Sequence, residues 1–216
     1  MQASCLQDIL SKGLNTIGRA VPTRTTLPIT QNVLIQTDRG MLKLSATNLE
    51  IAISTWVGGE IKSDGEITVP ARLMTEFINS LPNDRIDLEA SMDPHALTLK
   101  CNRHNARIIG TSSEEFPPIP QVQGDLLVKL SPHDLRVAIS EVAFAAATED
   151  SRPVLTGLKV ELEGNNFTFA AADGFRLAVH TGVLSEPVNE PTQFIIPART
   201  MSELNRFLGD QEDPVE

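Results

Sequence analysis

Cysteine is scarce in this 216-residue chain, with only Cys5 and Cys101 present. Two thiols exclude a disulfide-built scaffold and suit a reducing compartment, so a cytoplasmic protein is expected. No apolar run approaches the ~20 residues of a membrane span. The N-terminus has no basic segment followed by an apolar stretch, so neither a secretory signal nor a membrane partner is expected. Positive charge is in the minority: 18 Lys and Arg stand against 28 Asp and Glu, for a net charge of −10. That balance opposes non-specific nucleic-acid binding, which depends on neutralising phosphates. A role on DNA would need the positive charge gathered on one surface. Catalytic signatures are missing as well. The chain has no G-x-x-x-x-G-K-[ST] loop, no H-E-x-x-H and no paired C-x-x-C. Binding is therefore a better default than catalysis, and no metal or cofactor is expected.

What is present is a repeat. Residues 69–81 read VPARLMTEFINSL and residues 196–208 read IPARTMSELNRFL, identical at six of thirteen positions. A repeat of this length implies two copies of one structural unit. It extends upstream at an offset of 125: Leu42, Leu44 and Ala46 correspond to Phe167, Phe169 and Ala171. Their period-two alternation predicts a half-buried strand in each copy. Asn48 matches Asp173, Gly174 is read as an extra residue of the second copy, and Ile51-Ala52-Ile53 then matches Leu177-Ala178-Val179.

Each copy opens with a helical pattern. Leu6, Ile9, Leu10, Leu14 and Ile17 form one apolar stripe, and Leu135, Ala138, Ile139, Val142 and Ala143 the other. Ser131-Pro132 predicts an N-cap with Pro in the first turn. Leu73, Met74, Phe77, Ile78 and Leu81 form the expected buried face of the first repeated helix, and Met201, Leu204, Phe207 and Leu208 that of the second. Strands are predicted at 32–37, 41–47, 49–56, 86–90, 96–101, 105–110, 158–162, 166–171 and 176–182. Asp38-Arg39-Gly40 and Gly164-Asn165 provide hairpin turns. The proline-dense segment 114–120 reads as a linker between the copies.

Candidate chemistry is sparse. Cys101 and His104 have the closest to a metal-like spacing, and they read as a buried thiol and a surface imidazole. His95, His133 and His180 lack partner motifs. Glu50 and Asp173 lie at strand ends in different copies, which favours turn roles over an acid–base pair. Lys12 and Arg19, seven residues apart, are expected on one helix face. His133, Arg136 and Ser140 share another, and Arg72, Arg199 and Arg206 lie on the repeated helices.

The stretches LPITQNVLIQTDRGMLKLSATNLEIAI (27–53), VPAR (69–72), EEFPPIP (114–120), RPVLTGLKVE (152–161), AADGFRLAVH (171–180) and IPAR (196–199) together resemble the bacterial DNA polymerase III β subunit, the replicative sliding clamp. The resemblance implies an α+β DNA-clamp fold of repeated helix and antiparallel-sheet domains. It implies clamp domain I at 1–121 and clamp domain II at 126–216, lacking its last strands, with domain III absent: an N-terminal fragment. It further implies a non-catalytic processivity factor that encircles duplex DNA. Its partners would be the DNA polymerase III catalytic subunit, the clamp loader and other clamp-binding proteins, and at full length it would be a homodimer. The DNA-contacting residues would be Arg24, Lys12, Arg19, Arg72, Arg136 and Arg199, with the acidic Glu149 at a position that is often polar in the family. A peptide pocket would be formed by Leu155, Ala172, Gly174, Phe175, Arg176 and Leu177. The dimer interface would use Leu73, Phe77, Ala106 and Ile108. Two other readings stay open at this point: an interaction module that uses the 155/172–177 groove without DNA, and an enzyme with its site around Asn48 and Asp173.

Overall fold

The computed structural model describes residues 1–120, 128–149, 151–209 and 212–216. The chain divides into unit 1, Met1–Gln121, and unit 2, Val122–Glu216. In unit 1 the elements run β1 (Gln2–Leu6), α1 (Gln7–Ile17), β2 (Asn32–Asp38), β3 (Met41–Thr47), β4 (Ala52–Val57), β5 (Glu60–Ser63), β6 (Glu66–Pro70), α2 (Ala71–Ser80), β7 (Arg85–Met92), β8 (His95–Cys101) and β9 (His104–Ile109). They form two antiparallel sheets, ordered β4-β3-β2-β6 and β5-β1-β7-β8-β9. The β2–β3 turn is tight because Arg39 and Gly40 both take positive φ, at 52° and 77°. That left-handed pair matches the twist of the flanking strands. Leu10, Leu14 and Ile17 of α1 and Met74 and Ile78 of α2 are fully buried with Leu42, Leu44, Ile67, Ile86, Leu97 and Leu99, so one core joins both helices to both sheets.

Several expectations shift. Leu6 belongs to β1 and is 50% exposed, and Ile9 is 38% exposed, so α1 buries a narrower stripe than the pattern implied. Leu73 is 52% exposed and does not join the buried face of α2. β1, β5, β6 and the unit 2 strand Thr192–Pro197 are not among the expected strands. The first half of the proline-rich segment also belongs to unit 1: Phe116 is buried, Thr111 pairs with Thr68 of β6, and the Ser113 hydroxyl donates to Glu66. Residues 121–127 lie outside the described residues. Cys5 and Cys101 are both buried and unpaired, on β1 and β8 with β7 between them. Two strand spacings put them about 9–10 Å apart, beyond disulfide reach.

Unit 2 repeats half of this plan: α3 (Pro132–Val142), β10 (Gly157–Glu163), β11 (Asn166–Ala172), β12 (Leu177–Val183), β13 (Thr192–Pro197) and α4 (Ala198–Leu208). Ser131 caps α3 by accepting from the Asp134 N–H, and Gly209 ends α4 with φ 38°. The sheet order β12-β11-β10-β13 is the counterpart of β4-β3-β2-β6. Leu135, Ala138, Ile139 and Val142 pack with Phe167, Phe169, Leu158, Met201 and Leu208. A second sheet is represented, among the described residues, by the single bridge Leu130–Val215. At the offset of 125, Leu130 is the counterpart of Cys5, which pairs with Ile86 of β7 in unit 1.

Register corrects the alignment of the copies. Thr47 pairs with Ala52 and Ala172 with Leu177, so the offset stays at 125 through the turn. Gly174 is therefore no insertion. Its counterpart is Leu49, and both take positive φ, at 94° and 76°. Asn48 and Asp173 cap the two turns identically. Asn48 Oδ1 accepts from the N–H groups of Glu50 and Ile51 at 3.0 and 2.8 Å. Asp173 Oδ1 accepts from those of Phe175 and Arg176 at 2.9 and 3.1 Å. The extra residues of the second copy fall later, before β13, where Val69–Val33 answers Ile196–Leu158 at an offset of 127.

Candidate functional site

Strand alternation sends Leu177 and Val179 of β12 and Ala170 and Ala172 of β11 to the sheet face away from α3 and α4. The turn 153–156 adds Val154 and Leu155, and β13 adds Ile195. All of these but Val179, together with Lys159, line a largely apolar recess of about 240 Å³. Leu177, Val154 and Ile195 are 69%, 67% and 50% exposed. A drug-sized site spans roughly 300–1,000 Å³, so this recess takes one or two apolar side chains. A second recess of about 210 Å³ lies across the β11–β12 turn, lined by Ala147, Thr148, Glu149, Arg152, Phe175 and Arg176 among others.

The six expected pocket residues are thus divided. Leu155, Ala172 and Leu177 meet in the apolar recess, while Phe175 and Arg176 line the polar one. Gly174 lines neither. It stands at the turn, where a Cβ would lie 3.1 Å from the Arg152 guanidinium. Phe175 is 97% exposed. Asp173 Oδ2 accepts from Arg176 Nε at 2.9 Å, and the Arg176 guanidinium carbon lies 5.6 Å from the Phe144 ring centroid. The Asp173 carboxyl is held below its usual range by the Phe175 and Arg176 backbone N–H groups and by the Arg176 charge.

Sequence reasoning missed Val154, Ala170, Val179, Ile195 and Arg152. The signal that finds them is the comparison of the two copies. Leu177, Val179, Ala170, Ala172 and Ile195 stand where unit 1 has Ala52, Ser54, Ser45, Thr47 and Thr68. In unit 1 this face is polar and internally bonded: the Ser45 and Ser54 hydroxyls are 2.8 Å apart, and Thr68 Oγ1 donates to the Thr111 carbonyl at 3.0 Å. At four of these five positions one backbone therefore carries hydroxyl side chains in unit 1 and apolar ones in unit 2, while Lys159 of the recess stands where unit 1 has Leu34. An uncovered apolar patch is the informative exception on a protein surface.

The basic residues are distributed over both units. Lys12 is exposed on α1, but Arg19 lies in the 3-10 turn Gly18–Ala20 that follows α1, so the expected shared helix face is not continuous. Arg24 is exposed in the loop before Pro28, and Arg199 is exposed on α4. Arg72 is exposed on α2 and bonds Glu76 at 2.8 Å. His133, Arg136 and Ser140 do share the exposed face of α3. Arg136 also donates to the Gly209 carbonyl, placing its charge at the negative end of α4. Glu149 is exposed on the rim of the polar recess.

Among the described residues, no three His, Cys, Asp or Glu side chains are grouped to hold a metal. Cys101 and His104 are cross-strand partners, the thiol buried and the imidazole exposed. His180 has an acidic partner, Glu141 on α3, with Nδ1 and Oε2 2.7 Å apart. Glu50 lies within the turn that Asn48 caps, and Asp173 caps its own, so the two carboxylates occupy separate turns in separate units.

Comparison with known proteins decides the family. The profile of the DNA polymerase III beta subunit N-terminal domain matches residues 1–120, and that of its central domain matches residues 129–216. The chain belongs to the DNA polymerase III beta subunit family. A beta sliding clamp of Synechocystis sp. is 31% identical over 239 aligned positions, covering 98% of this chain and 59% of the relative. The solved Pseudomonas aeruginosa DNA polymerase III subunit beta superposes with a TM-score of 0.93 at 31% identity, over 100% of this chain and 58% of that one. A sliding clamp of the same organism, solved bound to griselimycin, gives 0.91 at 32% identity, with the same coverage. The chain thus spans less than two-thirds of the length of these relatives.

Within this beta-subunit fold, the four expected interface residues do not form one surface. Leu73 is exposed and Phe77 half-buried on α2. Ala106 is half-buried on β9, and Ile108 is only 4% exposed because it points into the core. The exposed apolar side chain of this edge is Ile109, at 65%. A single step along a strand reverses the face a side chain occupies.

Proposed function

We propose that this chain provides DNA-facing and partner-facing parts of a sliding clamp, a non-catalytic processivity factor. In this reading a full-length homodimer encircles duplex DNA, and peptides from the polymerase III catalytic subunit, the clamp loader and other clamp-binding proteins seat an apolar side chain in the Leu155/Ala172/Leu177 recess. Encirclement keeps the polymerase at high effective concentration near the primer end, so rebinding becomes intramolecular. Arg24, Lys12, Arg19, Arg72, Arg136 and Arg199 are the proposed DNA-side cations. They are few and solvated, which suits a sleeve that slides better than one that grips. The proposed location is the cytoplasm.

The observation that carries the partner site is the polar-to-apolar exchange between the copies at fixed backbone register. Griselimycin, present in the solved Pseudomonas clamp, provides the probe. Titrated into the isotope-labelled 216-residue chain, it is expected to shift the NMR signals of Leu155, Ala172 and Leu177. No binding, or shifts confined to unit 1, overturns this reading.

A further inference from the structure

The two copies contain an internal control for Asp173. Both turns have the same length, a positive φ at the same position and the same capping geometry, yet unit 1 caps with Asn48 and unit 2 with Asp173. A neutral amide oxygen is therefore enough to build the turn. The second oxygen and the negative charge of Asp173 are surplus to that task. They are spent on one group, the Arg176 guanidinium, whose Nε donates to Oδ2 at 2.9 Å. The unit 1 counterpart of Arg176 is Ile51, which has no charge to hold. Arg176 is restrained from its other side by Phe144, 5.6 Å from the guanidinium carbon, a cation–π spacing. The next residue, Leu177, is a wall of the apolar recess, and Arg176 itself lines the polar one.

We propose that Asp173 is a positioning residue for ligand binding in unit 2: its carboxylate fixes Arg176 as the partition between the polar and apolar recesses. This rests on the partner-site reading above. The Asp173–Arg176 pair is partly exposed, with side-chain exposures of 22% and 54%, so its loss should cost binding rather than folding. An arginine released from Asp173 samples many rotamers, and a ligand must then order it on binding.

The test is Asp173→Asn in the full 216-residue chain, with griselimycin as the probe. The variant restores the unit 1 capping residue, so hydrogen-exchange protection of β11 and β12 should match the parent. Griselimycin affinity should fall about fivefold, the order expected for one partly exposed ion pair. In an Arg176→Gln background the same substitution should change affinity little. Parent affinity should also weaken on acidification as Asp173 takes up a proton, while the Asn variant loses that dependence. Parent-like griselimycin affinity in Asp173→Asn overturns the inference and leaves the partner site standing. Lost protection of β11–β12 also overturns it, because the role is then structural. If the parent chain itself does not bind griselimycin in unit 2, the partner-site reading fails and the inference falls with it.

Discussion

Phe167 and Gly182 are direct cross-strand partners in unit 2, and Leu42 and Val57 are their counterparts in unit 1. The copies fill one place in the same sheet with different volume divisions: a large ring beside no side chain, or two medium aliphatics. A Cβ at Gly182 would lie 2.3 Å from Phe167 Cζ and 2.4 Å from Cε1. The ring has no room to retreat, being 0% exposed and edge-on to Phe169 with centroids 5.4 Å apart. Gly182→Val should therefore destabilise unit 2 by about 3 kcal/mol, the upper part of the overpacking range. Phe167→Leu alone removes buried carbon and leaves a void, a loss of about 2 kcal/mol. The double variant installs the unit 1 solution. Val also favours an extended backbone over Gly by up to about 1 kcal/mol. The double variant should lie about 1 kcal/mol below the parent, giving a coupling energy of about 4 kcal/mol, above the usual range for residues in contact.

The chain is well equipped for this cycle. It contains no Tyr and one Trp, Trp56 on β4, so tryptophan fluorescence follows unit 1 alone. Urea titration read by Trp56 fluorescence and by hydrogen exchange of β10, β11 and β12 separates the units. Additive losses, with the double variant about 5 kcal/mol below the parent, would refute the volume-exchange argument. They would mean that the copies differ in backbone position at this rung, not only in side-chain volume.

Leu49 holds φ 76° at 61% exposure. The left-handed penalty of about 1–2 kcal/mol exceeds the added chain entropy of Gly, so Leu49→Gly should raise unit 1 stability by about 0.5–1 kcal/mol, seen as a higher urea midpoint of Trp56 fluorescence. The reverse change, Gly174→Ala at φ 94°, should lower unit 2 stability by about 1 kcal/mol in the hydrogen-exchange readout. Burial pushes the Cys5 thiol up to about 12, so iodoacetamide at pH 8 should label it only at the unfolding rate of unit 1; labelling at the free-thiol rate would contradict the buried assignment. Hydrogen bonds from Ser113 and Gln36 hold the Glu66 carboxyl below its usual 4.5. A depressed folded pKa gives stability that is present above 4.5 and lost as pH falls through the folded value. Glu66→Gln should therefore flatten the acid limb of the Trp56 unfolding midpoint; an unchanged limb would exclude Glu66 as its source.

The parts of the fold legible in sequence were those with a period or a turn signal. β10 and β11 lie within a residue of their expected bounds because buried and exposed side chains alternate through much of their length; β2 and β3 do so because the Asp38-Arg39-Gly40 turn marks the boundary between them. β1 and β6 were missed for a physical reason. Their burial reads exposed-buried-buried-buried-exposed and half-buried-buried-buried-buried-half-buried, so neither shows period two. β13 sits near Pro191 and ends at Pro197, with Phe194 and Ile195 both exposed, and likewise lacks alternation. Of the residues the resemblance named for one pocket, Leu155, Ala172 and Leu177 line the apolar recess and Phe175 and Arg176 the polar one. That division depends on which side of the turn each side chain leaves the backbone, and Gly174 at φ 94° sets the side. Ile108 was misplaced for a related reason, since strand parity is fixed only once register is known. The same parity makes the duplication useful. Where unit 1 and unit 2 share register, whatever both retain serves the fold: the oxygen cap at Asn48 and Asp173, the positive φ after it, and the buried aliphatic and aromatic rungs. Differences that leave the backbone unchanged have to be explained by volume exchange, as at Phe167 and Gly182, or by a ligand. At Leu177, Val179 and Ile195 the copies differ in size or polarity at constant register, and that difference is the observation behind the proposed partner site.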